Sequence, residues 1–347
     1  MNEVTVVSID LAKSIFQVCA LGAGNEVVFN RKVRRAQLAD AIRRHPGVPV
    51  VMESCAGSNF WGRTFEAAGH AVRLIPPQHV RAFVRGNKND ANDALAIAEA
   101  SQRPNVRSVP IRSLDQTDVL IVHRAIERRV RARTALCNQI RGICSEYGLV
   151  FARNPGSLRR EIEGALEDAE NELTPVAREL IAELLDEWSL QDVAIRRLKQ
   201  RLEQGRQHDA VERALSIPGV GIQTATATWA KLSDGSAYRN GRAFAANLGL
   251  VPSQHSSGGR DKLGRISKRG DRYLRWLLVQ GANSLLKVAH RHPGDRLCRW
   301  ALSVKERRGH AKAAVAVANK LARVLWAVIA RGRSYQGDFQ PHAAAAA

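Results

Sequence analysis

Three short apolar, β-branched runs follow one another near the start of the chain with only turns between them: VTVVSID, SIFQVCAL and EVVFNRKV. Lys- or Gly-containing turns separate the runs, so they read as a meander of three strands. Then the period changes. AQLADAIRRH is an amphipathic helix, VPVVMES a buried strand, and NFWGRTFEAAG a helix ending at Gly69. HAVRLIPP is a further strand, stopped by Pro76 and Pro77, and DANDALAIAEASQ a further helix. The order βββαβαβα predicts a mixed sheet with helices on its faces, over residues 1–112.

Beyond that the pattern is helical. From Leu114 to Tyr147 there is no Pro and a single Gly, with Leu120, Ile121, Ile126, Val130, Leu136 and Ile140 at helical spacing. After a break at Asn154-Pro155-Gly156 a second helical stretch carries Leu180, Leu184, Leu185, Trp188, Val193, Ile195, Leu198 and Leu202. Two long helices with a short break predict an antiparallel hairpin or a dimerising coiled coil, a spacer over residues 113–210. A third, mainly helical region runs over 211–332 and ends in HAKAAVAVANKLARVLWAVIARG; residues 333–347, closing on five alanines, read as a disordered tail. The expected fold class is α/β plus α.

The net charge is +20 in 347 residues. Such an excess points to a polyanion, above all nucleic acid. No apolar run approaches the ~20 residues of a membrane span, and MNEVTVVSID lacks the basic and apolar regions of a secretory signal. A cytoplasmic setting is expected. Cys19, Cys55, Cys137, Cys144 and Cys298 form no CxxC pair and read as buried free thiols rather than as a disulfide or zinc framework. With aromatics at only 5%, grip on a charged backbone fits better than a broad stacking platform.

Four carboxylates stand out. Asp10 closes the first strand and Glu53 the strand VPVVMES. Adjacent strands of a mixed sheet can bring the two together. Asp90 and Asp93, in K-N-D-A-N-D-A-L-A, share one face of a helix's first turn. Converging carboxylates repel one another unless cations neutralise them, and hard oxygen donors suit Mg²⁺ or Mn²⁺. Two such ions about 3.5–4 Å apart can clamp a phosphodiester. Taken singly, Asp90 also reads as an N-cap and Glu53 as a surface residue.

The segments S-I-D-L-A-K, M-E-S-C-A-G-S-N-F-W and N-K-N-D-A-N-D-A-L-A-I-A, in this order, resemble the RNase-H-like/RuvC nuclease fold. They look more specifically like the DEDD domain of the "IS one-ten" family of insertion-sequence transposases, which includes the "IS eleven-eleven" group. The resemblance implies that Asp10, Glu53, Asp90 and Asp93 are the metal-binding acids.

Two further motifs lie in the third region. I-P-G-V-G, between helical segments, has the form of a helix-hairpin-helix, in which Gly219 and Gly221 allow a tight turn and the next helix's N–H groups take a phosphate. An ordinary helix–helix turn is the alternative. VPSQHSSGGRDKLGRISKRG, residues 251–270, is rich in Gly, Ser, Lys and Arg and poor in core formers. It reads as a loop in which Gly258, Gly259, Gly264 and Gly270 let the backbone come close while Arg260, Lys262, Arg265, Lys268 and Arg269 neutralise phosphates. Composition alone makes neither Ser256 nor Ser257 a nucleophile.

Here the resemblance adds what composition lacks. N-L-G-L-V-P, S-S-G-G, G-R-I-S-K-R-G and Y-L-R-W-L-L look like the C-terminal domain of the same family, whose serine before the glycine is the nucleophile on DNA. It maps onto Ser257, with Ser256 as the fallback. Over nearly the whole chain the resemblance therefore implies a site-specific recombinase acting on donor and target DNA through a phosphoserine intermediate. It further implies a guide (bridge) RNA made from the element and a homo-oligomer, dimer or tetramer. The competing reading is a metal-dependent Holliday-junction resolvase with water as nucleophile.

Overall fold

A computed structural model of the chain describes residues 3–86, 89–257 and 260–338. In chain order, strands β1 (Val4–Asp10), β2 (Ile15–Gly22) and β3 (Val27–Arg34) precede helix α1 (Leu38–Arg43), β4 (Val50–Glu53), α2 (Ser58–Ala67) and β5 (Val72–Ile75). Next come α3 (Pro77–Val80), α4 (Asp90–Ser101), α5 (Leu114–Glu146), α6 (Pro155–Glu167) and α7 (Pro175–Glu203). The remainder is α8 (Asp209–Leu215), α9 (Ile222–Leu232), α10 (Gly241–Asn247), β6 (Pro252–Ser257), β7 (Arg260–Ile266), α11 (Arg272–Val288), α12 (Arg296–Arg308) and α13 (His310–Arg331). The chain divides into two compact units. One comprises Met1–Thr117, Trp229–Ala246 and Ile329–Arg331; the other comprises Asp118–Thr228, Asn247–Val328 and Gly332–Ala347.

The first unit is built on a mixed sheet of order β3-β2-β1-β4-β5. β1 and β2 pair antiparallel, as do β2 and β3, while β1, β4 and β5 run parallel. Alternation along the strands sorts the core into two layers. Val7, Ile9, Phe16, Val18, Val50 and Met52 face Leu38 and Ile42 of α1 and Trp61 and Phe65 of α2. Val6, Cys19, Leu21 and Val51 face the opposite way, onto Ala94, Ala96, Ile97, Ala98 and Ala100 of α4. Each fully buried large side chain, such as Phe16 or Ile97, contributes on the order of 1.5–3 kcal/mol.

In the second unit α5 and α7 pack with α6 around Leu136, Ile140, Cys144, Leu158, Ile162, Ile181 and Trp188. Asn154 accepts from the Gly156 N–H and Thr174 from the Ala177 N–H, capping α6 and α7, and a proline follows each cap. Asp192 is held by Arg133 at 3.1 Å and Arg159 at 3.6 Å, a half-buried cluster on the same helices. His123, 2% exposed, joins three helices. Its Nδ1 lies 3.0 Å from the Tyr273 hydroxyl of α11 and its Nε2 3.0 Å from Thr226 Oγ1 of α9. Thr226 donates to the Ile222 carbonyl at 2.6 Å, so its oxygen accepts from Nε2–H and Nδ1 accepts from Tyr273.

Three expectations need correction. Within residues 251–270, where a loop was expected, β6 and β7 form an antiparallel hairpin, with Ser257 opposite Arg260 and Pro252 opposite Ile266. Gly258 and Gly259 lie outside the described residues. Residues 333–338 of the expected disordered tail are tied down: the Tyr335 hydroxyl donates to Asp295 at 2.9 Å and the Arg296 N–H to the Gly337 carbonyl at 2.8 Å. Residues 339–347 lie outside the description. Finally, α13 is long and apolar enough to cross a membrane, although half of its most apolar window is buried. Ala313, Val317, Ala318, Leu321 and Leu325 are 0% exposed, the pattern of a core helix.

The hairpin is held at its base by backbone crossings. Gly249 and Gly270 are left-handed, with φ of +66° and +70°, and a side chain at Gly249 would strike the backbone of Arg269, one at Gly270 the Asn247 carbonyl. Ser267 N–H donates to the Val251 carbonyl at 2.9 Å, and Arg275 spans the crossing with bonds to the Leu248 and Arg269 carbonyls at 2.8 and 2.7 Å. Gly270→Ala combines the positive-φ cost with a backbone clash. It is expected to destabilise the protein by at least about 2 kcal/mol, read as a lower midpoint in denaturant unfolding.

Candidate functional site

β1 and β4 are parallel neighbours, with Ile9 beside Met52. Asp10 and Glu53 are the next residues and the last of their strands, at the carboxyl edge where open α/β sheets hold ligands. Both point to the same face. Ile9 and Met52 belong to the α1–α2 layer and Val51 to the α4 layer, so alternation turns Asp10 and Glu53 toward the α4 side. Cys55 reports the same neighbourhood: reduced solvation pushes its thiol pKa up, and the charges of Glu53 and then Asp10 push it further. Cys55 is exposed, against the expectation that all five thiols are buried; the other four are.

α4 carries the second pair of acids. Its alanine-rich face brings it close enough to the sheet for Ser8, two residues before Asp10, to donate to the Ala94 carbonyl at 2.7 Å. Asn30 of β3 donates to the Ala91 carbonyl at 2.9 Å. These bonds fix the first turn of α4, with Asp90 and Asp93, on the sheet face that bears Asp10 and Glu53. The helix is capped by Asn89, which accepts from the Asn92 N–H at 2.8 Å. Asp90 is therefore not the cap but the first helical residue. It is exposed, while Asp93, Asp10 and Glu53 are half-buried.

Four carboxylates on one face and one edge suit a hard divalent cation in donor chemistry. Among the described residues, however, no three His, Cys, Asp or Glu side chains stand close enough together to hold a metal ion. The arrangement is thus a shared corner of the sheet rather than a closed cage.

In the second unit, α8 and α9 flank the turn Ile217–Gly221. Gly219 has φ +82°, and a Cβ there would meet the Gly281 carbonyl at 2.6 Å and Leu285 Cβ at 2.9 Å. Its first duty is to let the turn lie against α11. Gly221 opens α9, its carbonyl accepting from Thr224 and Ala225 N–H at 2.9 and 3.0 Å. Ser257 ends β6; for residues 255–257 and 260–262, Arg260 and Lys262 among them, the description is of the backbone. Arg265, Lys268 and Arg269 are exposed. Gly264 and Gly270 serve close approach, though to Ser253 Oγ and the Asn247 carbonyl of the chain itself rather than to a ligand.

Sequence reasoning missed three residues. Arg275 clamps the hairpin base, and nothing in the sequence separates it from the other cations. Gln17 and Lys32 share a row of the sheet with Asp10, since Asp10 pairs with Gln17 and Gln17 with Lys32. The signal was present: Gln17 interrupts the apolar strand IFQVCALG at an inward position.

Comparison with known proteins bears on both units. Residues 7–148 match the IS110-type DEDD transposase domain, and residues 211–297 match the transposase IS116/IS110/IS902 family. The transposase for insertion sequence element IS1111A of Coxiella burnetii is 39% identical over 337 residues, covering 97% of this chain and 92% of that protein. The transposase for insertion sequence element IS1328 of Yersinia enterocolitica is 37% identical over 333 residues, covering 96% and 98%. The chain belongs to the IS110 family of insertion-sequence transposases.

Proposed function

We propose that this transposase cuts and rejoins DNA through a covalent phosphoserine at Ser257, assisted by a divalent cation at Asp10, Glu53, Asp90 and Asp93. One observation above all supports the reading: two strand-end carboxylates of parallel neighbours share a sheet face with the acid-bearing first turn of α4. The RNase-H-like/RuvC assignment of this unit rests on the same placement and on the strand order. A bound Mg²⁺ or Mn²⁺ would supply Lewis acidity toward a phosphodiester. The chain's own part is to hold that corner open at the sheet's carboxyl edge and to present a serine on a braced hairpin.

In the covalent step the Ser257 hydroxyl oxygen forms a bond to phosphorus, the bond to a deoxyribose oxygen breaks, and the proton ends on the departing DNA hydroxyl. Attack by a DNA hydroxyl on the phosphoserine reverses the exchange and restores the serine, so no external energy source is needed. Ser256 is the fallback nucleophile. Arg265, Lys268 and Arg269, with Arg260 and Lys262, supply positive charge along the hairpin. The Gly219–Gly221 turn, read as a helix-hairpin-helix, offers the α9 N-terminus to a backbone phosphate. A grip on backbones leaves sequence choice to base pairing with a guide RNA. Junction exchange calls for several protomers, at least a dimer.

Trapping on a denaturing gel tests the chemistry. Wild type with DNA, co-purified RNA and Mg²⁺ is expected to give a protein–DNA adduct that Ser257→Ala lacks. Adduct in Ser257→Ala but not in Ser256→Ala moves the nucleophile to Ser256, and cleavage by both variants without adduct supports water as nucleophile.

Asp10→Asn removes a charge at the corner. It is expected to lower recombination by at least about 100-fold while DNA binding, measured by mobility shift, stays within a few-fold of wild type. Undiminished recombination would remove the corner from the chemistry.

A further inference from the structure

Gln17 is 6% exposed, on β2 directly opposite Asp10. Phe16 and Val18, on either side, belong to the α1–α2 layer, so the Gln17 side chain lies on the face of Asp10 and Glu53. Its amide orientation follows from its neighbours. Asn30 Nδ2 donates to the Ala91 carbonyl at 2.9 Å, which leaves Asn30 Oδ1 as an acceptor. Gln17 Nε2 donates to that oxygen at 2.6 Å. The string is therefore directional: from Gln17 to Asn30 to the carbonyl of α4's first turn.

Turning Nε2 toward β3 puts Oε1 on the other side of the amide. That oxygen is buried and has no hydrogen-bond partner. A buried acceptor without a partner is costly and uncommon, and a site that takes up a ligand is one place where it is retained. The acids of the corner are acceptors too, so they cannot satisfy it while ionised. What can satisfy it is an O–H donor, and the hydration shell of a hard cation supplies such donors.

We propose that Gln17 is a positioning residue of the carboxylate corner, its Oε1 accepting a hydrogen bond from the water shell of a divalent cation taken up by Asp10 and Glu53. The inference rests on the cation reading of that corner. It adds a neutral oxygen to a set of acids that do not by themselves close into a cage, and it links the site through Asn30 to the helix bearing Asp90 and Asp93.

Mn²⁺ binding to the full-length protein, followed by titration calorimetry without DNA, tests this apart from activity. Gln17→Leu is expected to weaken Mn²⁺ at least about tenfold, the usual loss when an outer-shell partner is removed. Gln17→Glu, which keeps an oxygen and adds charge, is expected to bind at least as tightly as wild type. A purely structural role predicts equal loss in the two variants, because both substitutions lose the donor to Asn30. The proposal is overturned if the two variants weaken Mn²⁺ alike, or if Gln17→Leu binds as wild type does. Should Gln17→Leu fail to unfold cooperatively, Gln17→Met provides the same comparison. Asp10→Asn separates the two levels: wild-type Mn²⁺ affinity in that variant overturns the corner as a cation site, and the Gln17 role with it. Loss in Asp10→Asn with no change in Gln17→Leu overturns the Gln17 role alone.

Discussion

The close seating of α4 on the sheet is the constraint on which the first unit depends. Ala94 and Ala98, one turn apart, keep the helix face low, and only then can Ser8 reach the Ala94 carbonyl and Asn30 the Ala91 carbonyl. A larger side chain at Ala94 would lift the helix and part the buried Ser8 and the half-buried Asn30 from their acceptors on it. It would also carry Asp90 and Asp93 away from the face of Asp10 and Glu53. One packing choice thus sets both stability and the convergence of the acids.

The second unit solves a different problem, which is to hold a hairpin with almost no apolar side chains of its own. β6 and β7 have few core-forming residues, and an isolated two-stranded hairpin is marginal in water. Its stability is lodged at the base, in the crossing of Gly249 with Arg269 and of Gly270 with Asn247, and in the Arg275 clamp. Asp271 caps α11 immediately after the crossing, accepting from the Leu274 N–H at 2.8 Å. Tyr273 then fastens the same turn to His123 of α5. The segment carrying Ser257 is braced from its ends.

This contrast explains what was legible in the sequence. The sheet and its helices were, because half-buried elements write their period into the apolar pattern: Val7 and Ile9 against Ser8 and Asp10, or Leu136 and Ile140 on α5. The hairpin was not. Its strands bury no continuous apolar face, so the Gly, Ser, Lys and Arg content read as a loop, and the contacts that hold it join Gly249 to Arg269 through the backbone. Asp90 was ambiguous for a local reason, since Asn89 caps as well as Asp does and only the fold decides which side chain accepts the Asn92 N–H. Gln17 went unnoticed because a single polar residue in a strand says nothing of its partner until the register with Asp10 is known.

Charge gives these placements a common logic. A chain of net charge +20 draws a polyanion to its surface, yet the corner of Asp10 and Glu53 repels a phosphodiester. A phosphate can approach that edge only if positive charge intervenes. Lys32 lies in the row that runs from Asp10 through Gln17, on the same face and exposed, but it sits two strands away across the sheet. At about 4.8 Å per strand that is roughly 10 Å, a full Debye length at ordinary salt, so an exposed lysine there guides a backbone without neutralising the corner. In the proposed reading the neutralising charge is a hydrated divalent cation held by the carboxylates, the ion that hard oxygen donors select. On that reading surface cations attract the nucleic acid, and a bound divalent cation lets the acids admit it.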